Sequence, residues 1–291
     1  MHRVADTTAT GSDSIVQWLI GQWWVWTVVG VIVLVILVVL LLPASKVKAS
    51  PDQPTTGREA NEIALGYLQT QNDPTGAWND PTASGVTDRV KARLVEQWGL
   101  QTRTDWLANI ERLTTDRRRR DPWTSYLTVR AELGARLGRE PKTKEWQRAI
   151  VEAGGDKRDA KTFVAAIEYL EQETRKAVGK KTFPPMSFVT TLDGYALGQA
   201  VALATWGVAI GHCTVEEARE IIHSINRTAR TDFGSWHAFG LSYTVGRVMH
   251  WSDGRLSDKT FGKLGQGTAS DFAAAVTEKR HGPWATLPWT L

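Results

Sequence analysis

The chain has 291 residues, 35 lysines and arginines against 31 acids, and 42% hydrophobic residues, enough for a packed core, which excludes a disordered tail. Its first 43 residues hold only Arg3, Asp6 and Asp13 among the charges, so the remainder is mildly basic, below the surplus of a dedicated nucleic-acid binder; nucleic acid is not expected as a partner. A lone cysteine, Cys213, excludes an intramolecular disulfide framework and a multi-cysteine zinc site, and fourteen tryptophans point to interfacial anchoring or to helices locked together by large flat side chains.

Residues 1–17 read as a short N-terminal tail and 18–43 as an interfacial segment with a membrane helix. From 25 to 42 only Thr27 is polar, and about 18 to 20 such residues cover the hydrocarbon core at helical rise. A cleaved leader is the competing reading, because Ala44-Ser45 and Ala49-Ser50 offer small residues. Its apolar region would be shorter, about 7–15 residues behind a basic start, and this start has only Arg3. The expectation is therefore a single-pass cell-membrane protein, anchored in the lipid bilayer by residues 24–42. Lys46 and Lys48 follow the span whereas Asp6 and Asp13 offset Arg3, which predicts a cytoplasmic C-terminal domain. Trp18, Trp23, Trp24 and Trp26 form an aromatic belt at the outer headgroups.

Residues 44–57, with Pro51 and Pro54 among serines and threonines, read as a flexible tether. Helical periodicity begins at Arg58 and no alternating strand follows, so the fold class is all-α: one transmembrane helix, then a multi-helix soluble domain. Residues 58–183 are expected as one helical subdomain. Ala60, Ile63, Ala64, Tyr67 and Leu68 make its first apolar stripe, and Val90, Leu94 and Trp98 the second, stopped by Gly99. Thr102 with Asp105 caps a helix carrying Trp106, Ile110 and Leu113 inward. The run Arg117, Arg118, Arg119, Arg120 leads to Asp121-Pro122, a helix start before Trp123, Tyr126, Leu127 and Arg130. A pair of helices follows over 143–153 and 160–178, with Glu171 and Arg175 as a surface ion pair four residues apart. Phe183-Pro184-Pro185 is a rigid break.

Residues 184–291 are expected as a helical core. From 192 to 210 the chain is small and apolar almost all round, interrupted by Asp193, Gln199 and Thr205, and the glycines at 194, 198, 207 and 211 have the GxxxG spacing of close helix contacts. Weakly hydrophobic alanine and recurrent polar residues favour a central buried helix over a second span. Thr214-Val-Glu-Glu217 is a capping box for the next helix. Ser235 caps a third, on which Trp236, Phe239, Tyr243 and Arg247 share a face. Arg247 then lies among aromatics and requires a carboxylate, with Asp193, Glu216 and Glu217 the candidates.

Gly198-Gln-Ala-Val-Ala-Leu-Ala-Thr-Trp-Gly207, Glu216-Glu-Ala218, Ser235-Trp-His-Ala-Phe-Gly240, Ser242-Tyr-Thr-Val-Gly-Arg247 and Pro283-Trp-Ala-Thr-Leu-Pro-Trp289 together resemble a bacterial family defined by domain of unknown function 1266. The likeness covers mainly 190–291, with weaker support from 94 to 113. This chain has Gln199 and Thr205 where that family carries basic residues. The resemblance implies an α-helical protein and no assigned reaction.

Chemistry-bearing patterns are sparse. His212, Cys213 and His223 lack paired metal-ligand spacing and read as capping-region residues; His237, His250 and His281 read as surface or packing residues. Gly262-Lys-Leu-Gly265-Gln-Gly267 has no preceding strand and reads as a loop. No cofactor or metal is expected. The candidate structural or binding cluster is Asp193, Trp206, Glu217, Trp236, Tyr243, Arg247 and Trp284, and Arg117 to Arg120 are a candidate lipid-headgroup or anion patch. These residues favour a membrane-tethered interaction or regulatory module with a protein partner over a hydrolase or toxin-like effector.

Overall fold

Helices are the only regular elements among the described residues of the computed structural model, which are 28, 31, 47–72, 76–184, 186–257, 259–278 and 282–290. Apart from positions 28 and 31, the expected tail, tryptophan belt and membrane span lie outside that set. In chain order the helices are α1 (Gly57–Ile63), running through a 3-10 turn (Ala64–Gly66) into α2 (Tyr67–Asn72), α3 (Asp88–Trp98), α4 (Arg103–Thr115), α5 (Trp123–Leu137), α6 (Thr143–Glu152), α7 (Lys157–Val178), α8 (Asp193–Ala209), α9 (Val215–Asp232), α10 (Trp236–Ser252), α11 (Thr260–Leu264), α12 (Gln266–Thr277) and α13 (Pro283–Thr286), with a second 3-10 turn at Lys180–Thr182.

The helix without a wet face is the centre. Every residue of α8 from Asp193 to Gly207 is buried, and α9, α10, α4 and the α1–α2 segment all pack on it. Its glycines permit that crowding. A Cβ on Gly194 would stand 2.9 Å from the Phe239 carbonyl oxygen and the Tyr243 amide nitrogen, and one on Gly207 would stand 2.5 Å from the Trp106 ring. That ring is fixed in turn, because its indole N–H donates to the Leu203 carbonyl at 2.8 Å. The GxxxG spacing thus serves a protein core, and among the described residues no helix is long and apolar enough to cross a membrane. Gly194→Ala is expected to cost about 1–3 kcal/mol, since backbone of α10 must retreat. Urea denaturation checks this; an unchanged midpoint would mean the two helices do not meet there.

Local signals set most helix ends. Thr102 and Asp105 make a reciprocal capping box on α4, while Asp156, Thr214 and Ser235 accept from backbone amides at the starts of α7, α9 and α10. The box expected at Thr214 is only half formed, because the Glu217 carboxylate turns outward to Arg103. Gly99 ends α3 with φ of 66°, a left-handed conformation that glycine adopts without a steric penalty.

Several long-range arrangements differ from the sequence expectation. From Val47 onward the expected tether is pinned: Val47 is buried, the Trp78 amide donates to the Lys48 carbonyl at 2.9 Å, and the Asn79 amide donates to the carbonyls of Ser50, Gln53 and Pro54. One distant side chain satisfies a proline-rich backbone that composition alone leaves free. Residues 46–291 form one unit, and α7, before the Phe183-Pro184 break, packs against α10 and α12 beyond it, so the parts expected on either side of 183 share a core. The glycine-rich stretch at 262–267 is helical, split between α11 and α12.

Glu171 is buried and is not half of a surface pair. It holds the fully buried Arg130 through two bonds of 2.7 and 3.0 Å and accepts the Val189 amide, while Arg175 turns to Glu140 and the Ser187 carbonyl. The buried face of α7 is wider than the apolar residues alone mark out.

Candidate functional site

The four consecutive arginines between α4 and α5 separate into two groups. Arg117 and Arg118 both take positive φ, 52° and 55°, which costs a non-glycine residue about 1–3 kcal/mol each. Side-chain contacts hold the turn. Arg117 bonds Asp193 at 3.0 Å and Asp232 at 2.6 Å, Arg119 bonds Asp193 at 2.5 Å, and Arg120 bonds Asp253 at 2.5 Å. Hydrogen bonding to Asp193 raises the Arg119 pKa. Three members of the run therefore have carboxylates of this chain as partners, which leaves less free charge for a lipid headgroup than the sequence suggests.

Among the described residues Arg118 has no such partner. Its Nε donates to Gln199 Oε1 at 2.8 Å, one terminal nitrogen lies 3.1 Å from His250 Nε2, and its guanidinium stands 5.9 and 5.7 Å from the ring centres of Trp98 and Tyr195. Burial, with Arg112 and Arg120 nearby, lowers its pKa. His250 is caught between Arg118 and Arg120, whose terminal nitrogen lies 3.3 Å from His250 Nδ1. Burial first, and then those two cations, push the imidazole down to about 4, so it is neutral at physiological pH.

Arg118 forms part of the wall of a cavity of about 520 Å³, lined also by Gln69, Gln97, Trp98, Asn109, Arg112, Tyr195, Gln199, Arg247, His250 and Trp251. Helices α2, α3, α4, α8 and α10 each supply part of that wall. Among the described residues it contains three guanidiniums and no carboxylate. Arg112 donates to Asn109 at 2.6 Å, and Arg247 has its Nε buried with no hydrogen-bond partner and no ion pair among the described residues.

The carboxylates expected for Arg247 are engaged elsewhere or not in contact: Asp193 holds Arg117 and Arg119, Glu217 holds Arg103, and Glu216 forms no ion pair among the described residues. Arg130 has the opposite environment, paired to Glu171 and stacked 4.3 Å over Trp146.

The expected cluster does not converge on one groove. Trp236, Trp284, Trp206 and Tyr243 are buried core residues. Trp236 stacks on Trp284 at 5.1 Å, and Trp206 meets Trp98 edgewise at 6.1 Å. Tyr243 donates to Gln69 Oε1 at 2.7 Å, directly behind the cavity wall. Cys213, His212 and His223 also lie apart in function: burial pushes the thiol up to about 11, His212 bonds the Leu100 carbonyl, and His223 bonds Glu62. Among the described residues no three His, Cys, Asp or Glu side chains are grouped to hold a metal ion.

Arg118, Arg247 and Gln199 stood out in the sequence for separate reasons, whereas Gln69, Asn109, Arg112 and Trp251 did not, and His250 read as a surface or packing residue. Gln69 carried a visible signal, a polar residue directly after the stripe residues Tyr67 and Leu68. The other three carried none, because their neighbours come from different helices.

Fold and cavity together define an all-helical domain built around a buried alanine-rich helix, with a basic cavity beside it whose wall holds no carboxylate among the described residues. The chain belongs to the family described as Protein of unknown function (DUF1266), which matches it over residues 93–289. That match contains most of the cavity wall but not Gln69. Neither a curated protein nor a solved structure matches the chain.

Proposed function

We propose that this protein is a membrane-anchored regulatory module whose helical domain binds a small anionic ligand in the cavity lined by Arg112, Arg118 and Arg247. The supporting observation is that, among the described residues, no carboxylate lines that cavity and Arg247 Nε has no hydrogen-bond partner. Like charges gathered in a partly buried site repel one another and are poorly hydrated. An anion relieves both costs, and guanidiniums hold phosphate-type groups through paired, charge-assisted bonds. Anchoring rests on the apolar run at 24–42 and cytoplasmic placement on Lys46 and Lys48. A protein partner that senses the occupied cavity would carry the signal onward.

Calorimetric titration of pyrophosphate into the purified full-length protein tests the cavity. Pyrophosphate is expected to bind, and Arg247→Met to weaken it by about tenfold or more, equivalent to about 1.4 kcal/mol. The variant is expected to melt at or above the wild-type temperature, because methionine keeps the apolar stem and removes an unpaired cation. A variant that binds normally would remove Arg247 from the site.

A further inference from the structure

The guanidiniums occupy only part of the cavity wall; Trp98 and Trp251 line it as well. Trp251 is 62% exposed, more than any other large hydrophobic side chain among the described residues, yet it is held in place. Its indole N–H donates to the Tyr195 hydroxyl at 2.8 Å and its ring meets His250 edgewise at 5.3 Å. A fixed, solvent-facing indole beside unpaired cations offers a flat apolar surface at little ordering cost.

Gln69 adds an independent indication. It is only 5% exposed, its Oε1 accepts from Tyr243, and its amide nitrogen has no hydrogen-bond partner among the described residues, although the side chain lines the cavity. The nitrogen is not one of the sealed, unsatisfied atoms of the interior, so it opens on the cavity and can donate to an acceptor bound there.

Resting on the anion-binding reading above, we infer that the ligand is a nucleoside phosphate. Its phosphates lie against Arg118 and Arg247, its base lies on Trp251, and a base or sugar oxygen or nitrogen accepts from Gln69. A bare phosphate leaves the indole exposed and Gln69 unengaged. An uncharged ring leaves the guanidiniums without a countercharge. The cavity volume is within the range of small-molecule sites, about 300–1,000 Å³.

The test is calorimetry on the full-length protein in zwitterionic nanodiscs with ADP, GDP and pyrophosphate as separate probes. At least one nucleotide is expected to bind about tenfold or more tightly than pyrophosphate, the gain that stacking on an aromatic ring supplies. Trp251→Ala is expected to reduce that nucleotide to the affinity of pyrophosphate while leaving pyrophosphate unchanged; an exposed ring can be removed without emptying the core. Equal affinities for nucleotides and pyrophosphate, or a Trp251→Ala variant that alters both alike, would refute the nucleoside requirement and leave the anion cavity standing. Absence of binding by all three probes would refute both. Displacement of the nucleotide on transfer to phosphatidylglycerol nanodiscs would assign the charge site to a lipid headgroup and overturn the inference.

Discussion

Glu171→Ala is expected to lower the unfolding free energy by about 3–5 kcal/mol, a large fraction of the roughly 5–15 kcal/mol of an ordinary domain. The Arg130 guanidinium is fully buried on α5, and Glu171 accepts two of its bonds while also taking the Val189 amide at 2.5 Å. Removing the carboxylate leaves Arg130 with the Val189 carbonyl and the half-exposed Glu140. That is too little to hold a cation in a low-dielectric interior. Trp146 and Phe188, 4.3 and 5.0 Å from the guanidinium, add cation–π attraction but no proton acceptor.

Glu171→Gln separates charge from shape and is expected to lose most of the same stability. The double variant Arg130→Met with Glu171→Leu is expected to recover much of it, because the buried charge has gone as well. Chemical denaturation of the four proteins measures the series. A loss below about 1 kcal/mol for Glu171→Ala would show that the pair is not buried as described.

Trp284→Ala is expected to cost about 3–5 kcal/mol, the range for deleting a large buried aromatic. The ring stacks on Trp236 and meets Tyr67, Phe239 and Phe272 edgewise at 5.9, 5.9 and 5.6 Å, and its indole N–H donates to the Ala64 carbonyl at 2.9 Å. It therefore joins α13, close to the chain end, to the turn between α1 and α2. Trp284→Phe is expected to retain part of the packing while losing that bond. Neither variant is expected to change pyrophosphate affinity under conditions where it remains folded, since Trp284 does not line the cavity. A selective loss of binding at unchanged stability would return Trp284 to the site.

The helices with short-range signatures were legible from sequence. Thr102 with Asp105, Ser235 before Trp236 and Gly99 after Trp98 mark helix ends, because a cap is satisfied within four residues of itself. The absence of a polar face on α8 was equally informative: such a helix has to be surrounded. The family resemblance carried by the 190–291 motifs is likewise a property of the linear chain, and the match over 93–289 extends it.

What the linear pattern did not reveal were the partners of charged side chains. Glu171 has Arg175 one turn away and instead binds Arg130, 41 positions earlier; a fully buried guanidinium competes more strongly for a carboxylate than a half-buried one does. Asp193 could have met Arg247 and instead binds Arg117 and Arg119, because the left-handed turn at 117 and 118 brings those side chains to the N-terminal end of α8. Arg118 reaches Gln199, farther along the same helix, instead.

Sequence by itself determined that the described part of this protein is helical, where its capped helices begin and which helix is central, since periodicity and capping are local and hydrophobic burial depends only on which residues a segment contains. Tertiary structure alone decided which of four adjacent arginines remains without a carboxylate among the described residues, and that Arg112 and Arg247 join it in one cavity. Charge pairing is a competition among all groups that folding brings within a few ångströms, and that set is fixed only when α2, α3, α4, α8 and α10 have packed together.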